Sequence, residues 1–177
     1  MEMPPVVSRA FPPPRVSVVL PVRDGAATLD AALASLQAQR FTAWEAVVVD
    51  DGSTDDTPRR LRDWATRESR IRPVTAPRRG LVAALNHGLA EARAPWIARL
   101  DADDIAHPER FAEQARWLEQ HPEVGLVSCL VEFGGSRDSA AGYARHVDWL
   151  NTVVTPEAIA LQRFVESPLA HPSVMFR

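Results

Sequence analysis

Asp101-Ala102-Asp103-Asp104 places three carboxylates within four residues. Side chains two apart on an extended segment point the same way, so Asp101 and Asp103 present oxygens to one side. Hard oxygen donors of this kind suit Mg²⁺ or Mn²⁺, which keep coordination positions open for phosphate oxygens. The competing reading is a solvated acidic turn ahead of the helix that Pro108 introduces. A second acidic group is Asp50-Asp51-Gly52-Ser53-Thr54-Asp55. A carboxylate at a strand end can accept a base N–H, and Gly52 permits a sharp turn. A turn with a helix cap accounts for Ser53 and for one of Thr54 and Asp55. It does not account for two acids ahead of the glycine. A third group, Arg78-Arg79-Gly80, stands just before a helical pattern. Cations there oppose the helix macrodipole. A pyrophosphate would reverse that sign, because arginine and the helix amides both favour anions. A solvated loop is the alternative.

These groups need a scaffold that brings them together. VSVVLPV (16–22) is a buried-strand pattern, and ATLDAALASLQAQ carries Leu29, Leu33 and Leu36 at helical spacing. AWEAVVVD (43–50) predicts a second strand. Thr54 or Asp55 can cap a helix to about Ser69, with Leu61 and Trp64 on one face. IRPVTA (71–76) predicts a weaker strand, near an edge because of Pro73. Leu81, Leu85 and Leu89 mark a third helix and PWIARLD (95–101) a fourth strand. PERFAEQARWLEQ (108–120) predicts a helix with proline in its first turn, and VGLVSCLVEF (124–133) a fifth strand. Beyond Phe133 the pattern weakens. GGSRDSAAGYAR reads as a polar loop, TPEAIALQRFV (155–165) as a helix and PSVMF as a final strand. The alternation predicts an α/β fold, with a mostly parallel sheet and helices on both faces.

In such a sheet, ligands bind outside the carboxyl ends of the strands. The first strand ends Pro21-Val22-Arg23-Asp24-Gly25, the second in the Asp50 group and the fourth in the Asp101 group. If the strands are parallel, all three sets share one rim. That many carboxylates repel one another unless something positive joins them. A divalent cation with a phosphorylated ligand, and arginines nearby, would satisfy the rim.

Composition bounds the remaining options. The 177 residues are 46% hydrophobic and 24% charged, which suits one globular domain. All 20 basic residues are Arg, against 23 acids, giving a formal charge of −3. Bulk attraction to nucleic acid is therefore disfavoured. The single Cys129 excludes an internal disulfide framework and a cysteine zinc site. No apolar run reaches the roughly 18 residues of a membrane span, and the start does not read as a signal peptide. Cytoplasmic location is expected. The proline-rich residues 1–14 read as an extended arm. Asn86, His87, His107, His121 and His146 read as structural or solvated. His171 is less bland, because it opens a strand and could reach a metal or phosphate.

The order VSVVLPVRDGAATLDAALASLQAQ, then WEAVVVDDGSTDDT, then RRGLVAALNHGLAEARAPWIARLDADDIAHPERF closely resembles family 2 glycosyltransferases with the Rossmann-like GT-A fold. The match runs from about Arg15 to His121, and HPSVMFR (171–177) resembles a later family segment. The resemblance implies a nucleotide-sugar-binding domain over 15–133 and the start of an acceptor-side region, in the same domain, over 134–177. It implies metal-dependent transfer of a sugar, with inversion, from a UDP-, GDP- or dTDP-sugar to a hydroxyl of a saccharide or lipid-linked acceptor. Polysaccharide or glycoconjugate synthesis is the implied setting. By the same resemblance, Pro21 and Arg23 line the base pocket, Asp51 accepts the base N–H, and Arg79 sits near the phosphates. Asp103 is then the direct Mg²⁺ or Mn²⁺ ligand, and Asp101 contacts the ribose or a metal-bound water. Asp104 supports them. Relatives carry an acidic general base after the HPSVMFR-like segment, so the base is expected beyond Arg177. Glu166 and Asp148 stand in no matching motif. Membrane association is expected only through a C-terminal part absent from this chain.

Other classes remain to be weighed. A non-catalytic nucleotide-sugar-binding module would share every donor-side residue. A D-x-D phosphotransferase would place a nucleophilic Asp on the first strand, where Pro-Val-Arg stands. A nucleotidyltransferase would want a glycine-rich phosphate loop there, and Asp24-Gly25-Ala26-Ala27 is a poor version.

Overall fold

The computed structural model describes residues 11–177. Residues 1–10 of the expected arm lie outside the described residues, and 11–14 form no regular element. The chain then alternates strictly: β1 (Val16–Val22), α1 (Leu29–Gln37), β2 (Trp44–Asp50), α2 (Thr57–Arg67), β3 (Ile71–Thr75), α3 (Leu81–Glu91), β4 (Trp96–Arg99) and α4 (Arg110–Gln120). A short β5 (Leu126–Val127), α5 (Ala141–Leu150), α6 (Pro156–Gln162), a 3₁₀ turn (His171–Ser173) and β6 (Met175–Phe176) complete it.

One six-stranded sheet has the order β3-β2-β1-β4-β6-β5. β3, β2, β1 and β4 run parallel, and β6 is antiparallel to both β4 and β5. The chain moves outward from β1 to β3 and then returns to place β4 on the other side of β1. That reversal is the topological switch point at which open α/β sheets bind ligands. Pro73 lies in the edge strand β3, where its missing N–H costs no ladder bond on the open side.

β1 and β2 are buried along their whole length, so both faces of the sheet are covered. Val16, Val18, Leu20 and Val22 join Leu29, Leu33 and Leu36 of α1, Leu61 and Trp64 of α2, and Phe111 and Leu118 of α4 in the larger core. Val47 and Val49 face the other way and pack with Ala76 and with Ala84 of α3. At roughly 1.5–3 kcal/mol for each fully buried large apolar side chain, these two layers supply the main driving force for the parallel core.

Three local expectations are corrected. The leucine stripe of α3 does not face the sheet: Leu81 and Leu89 are 55% and 41% exposed, and the buried residues are Ala84 and Gly88. A Cβ on Gly88 would lie 2.5 Å from Val19 Cγ1 and 3.3 Å from Val49 Cγ2, so only the small face of the helix can approach the strands. The fifth strand shrinks from ten residues to Leu126–Val127, because β6 inserts between it and β4. The expected polar loop after Phe133 contains the start of α5, with Ala144 and Val147 buried.

Candidate functional site

The β1–α1 and β2–α2 loops are knitted together at the carboxyl ends of their strands. Asp24 stands at φ 50°, a left-handed conformation that costs energy in a non-glycine residue. Its N–H donates to Ser53 Oγ at 2.9 Å, and its Oδ1 accepts the N–H of Thr54 at 2.7 Å. Gly25 N–H donates to Thr57 Oγ1 at 2.9 Å, and Ala26 N–H to Asp55 Oδ2 at 3.0 Å. The N-cap of α2 is Asp56, whose side chain makes no cap bond, rather than Thr54 or Asp55; Asp55 Oδ1 accepts the N–H of Thr57 from one position earlier, and Thr54 is spent on Asp24. Most of the polar text after Asp51 is therefore loop architecture.

Asp51 differs. It is buried, and its two oxygens accept successive backbone N–H groups: Oδ1 from Arg79 at 2.8 Å and Oδ2 from Gly80 at 2.9 Å. Gly80 stands at φ 88°, which only glycine adopts easily, and it is the N-cap of α3. One carboxylate thus fixes the loop that carries Arg78 and Arg79 and the start of α3. Asp50 stays local, its Oδ1 accepting the Ser53 N–H at 2.9 Å.

Between Asp51 and α3 lies a cleft of about 220 Å³, walled by Ala76, Pro77, Arg79, Ala83, Ala84 and His87. Of the residues expected at the base, Asp51 lines it, as does Arg79, which was expected near the phosphates. Pro21 is buried opposite Val49 near the end of β1, Arg23 is exposed with Nε 3.9 Å from Asp24 Oδ2, and neither is among the cleft walls. His87, read as structural from the sequence, is a wall residue. Its position on the α3 face shared with Ala83 and Ala84 would have shown this, had the inward face of that helix been known.

The acid cluster follows β4. Asp101, Asp103 and Asp104 each present a carboxylate oxygen within 4.8 Å of the others. Asp101 is half-buried, Asp103 exposed, and the Asp104 N–H donates to the Asp101 carbonyl at 3.2 Å. Burial pushes the Asp101 carboxyl up, and Asp103 adds to this, while Arg99 and His171 pull it down. Arg99 Nη2 donates to Asp101 Oδ1 at 2.8 Å. Burial likewise raises Asp104, with further repulsion from Asp101 and Asp103. The crowding that helps to raise Asp101 and Asp104 is a repulsion that a cation would offset. Three hard oxygens at this spacing fit Mg²⁺ or Mn²⁺. Arg110 lies beneath, buried, donating from Nη2 to the carbonyls of Arg99 and Val174, and so ties β4 to the segment that follows His171.

The two halves of the rim meet through the β1 loop. A Cβ on Gly25 would stand 3.7 Å from Ala102 Cβ, so that loop lies near the segment that carries the acid cluster on one side and bonds to Asp55 and Thr57 on the other. His107, His121 and His146 stand elsewhere: His121 pairs with Glu123, and His146 stacks on Trp149.

The loop clamp has a pH signature. Hydrogen bonds from Thr54 hold Asp24 below the usual carboxylate range, and those from Thr57 do the same for Asp55. A carboxyl depressed in the fold stabilises above its unfolded pKa, and that stability is lost as pH falls through the folded value. Melting temperature should therefore hold down to about pH 5 and drop below about pH 4. Thermal melts of Asp55→Asn should show a shallower acid limb; an identical limb would remove Asp55 from the account.

The comparisons with known proteins agree with this fold. The family model described as glycosyl transferase family 2 matches residues 17–176. The amylovoran biosynthesis glycosyltransferase AmsE of Erwinia amylovora is 40% identical over 110 residues, covering 59% of this chain and 40% of AmsE. The mannosyltransferase PcManGT of Pyrobaculum calidifontis, solved with GDP-Man and Mn²⁺, is 28% identical with a TM-score of 0.66, over 93% of this chain and 44% of that one. S. aureus TarS (residues 1–349), solved with UDP-GlcNAc, shares the fold at 23% identity and a TM-score of 0.63, over 69% of this chain and 36% of that one. The chain spans less than half the length of each of these proteins. With the family model covering nearly all of the described residues, and with a GT-A-like sheet carrying its acids at the switch point, this chain belongs to glycosyl transferase family 2.

Proposed function

We propose that this chain forms the donor side of a metal-dependent, inverting glycosyltransferase that takes a sugar from a nucleotide-diphosphate donor, in the synthesis of a polysaccharide or glycoconjugate. The observation that carries this is the convergence of the Asp51 cleft and the Asp101–Asp104 cluster on one rim, bridged by the β1 loop. AmsE, named for amylovoran biosynthesis, and PcManGT, which holds GDP-Man and Mn²⁺, support the reading from outside the chain.

Asp51 accepts the base N–H, and Pro21 and Arg23 approach the nucleoside from the end of β1. Arg79, at the start of α3, offsets the diphosphate charge together with the helix amides. Asp103 and Asp101 would hold Mg²⁺ or Mn²⁺, with Asp104 in support. Such an ion supplies Lewis-acid stabilisation to the departing nucleoside diphosphate. The acceptor hydroxyl attacks the anomeric carbon from the opposite face, so configuration inverts, and its proton goes to a base. Asp148 is a poor base, because both its oxygens accept from Arg137 at 2.9 Å. The acceptor is a saccharide or a lipid-linked saccharide. Among the described residues, no helix is long and apolar enough to cross a membrane.

Asp51→Ala tests the division of labour. It should weaken binding of UDP, GDP or dTDP roughly tenfold or more in calorimetry, since it removes the base partner and orphans two N–H groups. Mn²⁺ binding at the acid cluster should stay within about twofold, as the cleft and the cluster share no residue. Equal loss of both would assign Asp51 to the fold alone.

A further inference from the structure

Arg99 is the charge beside the acid cluster to which the donor-site reading gives no part. It is the only charged residue of β4, and its side chain is 12% exposed. A cation so nearly buried needs a charged partner. Residues two apart on an extended segment point the same way, and Arg99 meets Asp101 there: Nη2 donates to Oδ1 at 2.8 Å. Among the described residues this is the one hydrogen bond of the Arg99 side chain, and its Nε is buried with no partner. Arg110, the cation beneath, is spent differently. Its donors go to the carbonyls of Arg99 and Val174 and to Gln114 Oε1 at 3.1 Å. The Arg99 backbone is fixed from three sides. It pairs with Val19 of β1, its N–H donates to the Val174 carbonyl at 3.1 Å, and its own carbonyl accepts Arg110 Nη2 at 2.9 Å. The guanidinium is therefore held close to the acids.

We propose that Arg99 is the resident counter-ion of the acid cluster, a positioning residue that holds Asp101 when no cation is bound, keeps affinity for a bare divalent ion low, and so ties filling of the metal site to arrival of the donor's diphosphate. This rests on the metal-site reading above and adds when the site fills. A divalent ion entering alone meets three carboxylates of which one oxygen is already taken, beside a positive charge that repels it. Because Arg99 is nearly buried, water and salt screen that repulsion poorly. A nucleoside diphosphate brings negative charge to the same rim, which offsets Arg99, and offers the ion further oxygens. The sign of one change separates this role from a purely orienting one. Loss of a residue that only orients a metal ligand typically lowers metal affinity 10–100-fold. Loss of a neighbouring positive charge raises it.

The test is Mn²⁺ titration of the intact chain without nucleotide, read by electron paramagnetic resonance of the free ion, with circular dichroism to check that each variant folds. Arg99→Gln should bind Mn²⁺ about tenfold more tightly than the unaltered chain, and Arg99→Lys, which keeps the charge, should stay within about threefold of it. Weaker or unchanged binding in Arg99→Gln would overturn the proposal and leave Arg99 an orienting or structural residue. Equal tightening in Arg99→Lys would overturn it too, since charge would not be the cause. A second measurement needs no variant. With the tightest-binding of UDP, GDP and dTDP present, and after correction for Mn²⁺ held by the free nucleotide, the unaltered chain should bind Mn²⁺ at least about tenfold more tightly than without it. Equal affinity with and without nucleotide would overturn the proposal and leave the metal site standing. If Mn²⁺ binds under neither condition, the metal-site reading falls, and this inference falls with it.

Discussion

Asp103→Ala is expected to abolish metal-supported nucleotide binding while leaving the fold intact. Asp103 is exposed, and no hydrogen bond or ion pair ties its side chain to the described residues, so its removal costs the sheet little. Its carboxylate is the freest in the cluster: Asp101 is held by Arg99, and Asp104 is half-buried beside Arg110. It is therefore the group best able to give its full charge to a cation. Loss even of a residue that merely orients a metal ligand typically lowers affinity 10–100-fold, so loss of a direct ligand should cost about 100-fold or more. Calorimetry of UDP, GDP or dTDP with and without Mn²⁺ reads this as collapse of the metal-dependent increment. Binding without metal should be unchanged. An increment that survives would move the metal site away from Asp103.

The second large effect is on stability. Arg70→Met should cost about 3–5 kcal/mol, because it leaves Glu68 buried without its partner. Arg70 Nη2 and Nε donate to the two Glu68 oxygens at 2.7 and 2.9 Å, and both side chains are less than a tenth exposed. The guanidinium also lies between Trp44 and Phe11, 3.9 and 4.0 Å from their ring centroids. Burial alone would raise the Glu68 carboxyl; the Arg70 hydrogen bonds and charge outweigh it and hold it below the usual range. At about 2–4 °C per kcal/mol for a chain of this size, the melting temperature should fall by roughly 10 °C. Glu68→Leu added to Arg70→Met should restore much of the loss, since apolar replacement of a whole buried pair is often neutral. A double variant as unstable as the single would mean the packing of Arg70 on its two rings matters more than its charge.

What could be read from the sequence follows physical range. β1, β2 and their helices were legible because burial on both faces writes continuous β-branched runs, and the rim acids were legible because they sit directly at strand ends. Pro73 marked an edge strand from its missing donor alone. The failures are all non-local. Nothing near VGLVSCLVEF says that Met175–Phe176 will take the place beside β4. α3 is apolar on more than one side, so its leucine spacing could not choose the inward face; the strands chose it through Val19 and Val49. At the site, Asp51 was legible as a strand-end acid, yet its burial and its clamp on Arg79 and Gly80, 28 and 29 residues away, were not. His87 became visible only once α3 was oriented.

The central claim is that the Asp51 cleft and the Asp101–Asp104 cluster serve one ligand on one rim. A crystal structure of the chain grown with UDP and Mn²⁺ tests it most directly. The account predicts the base against Asp51 and His87, with Mn²⁺ about 2.0–2.2 Å from an Asp103 oxygen and in contact with the diphosphate. Nucleotide and metal on separate surfaces, or a diphosphate directed away from Asp103, would contradict it.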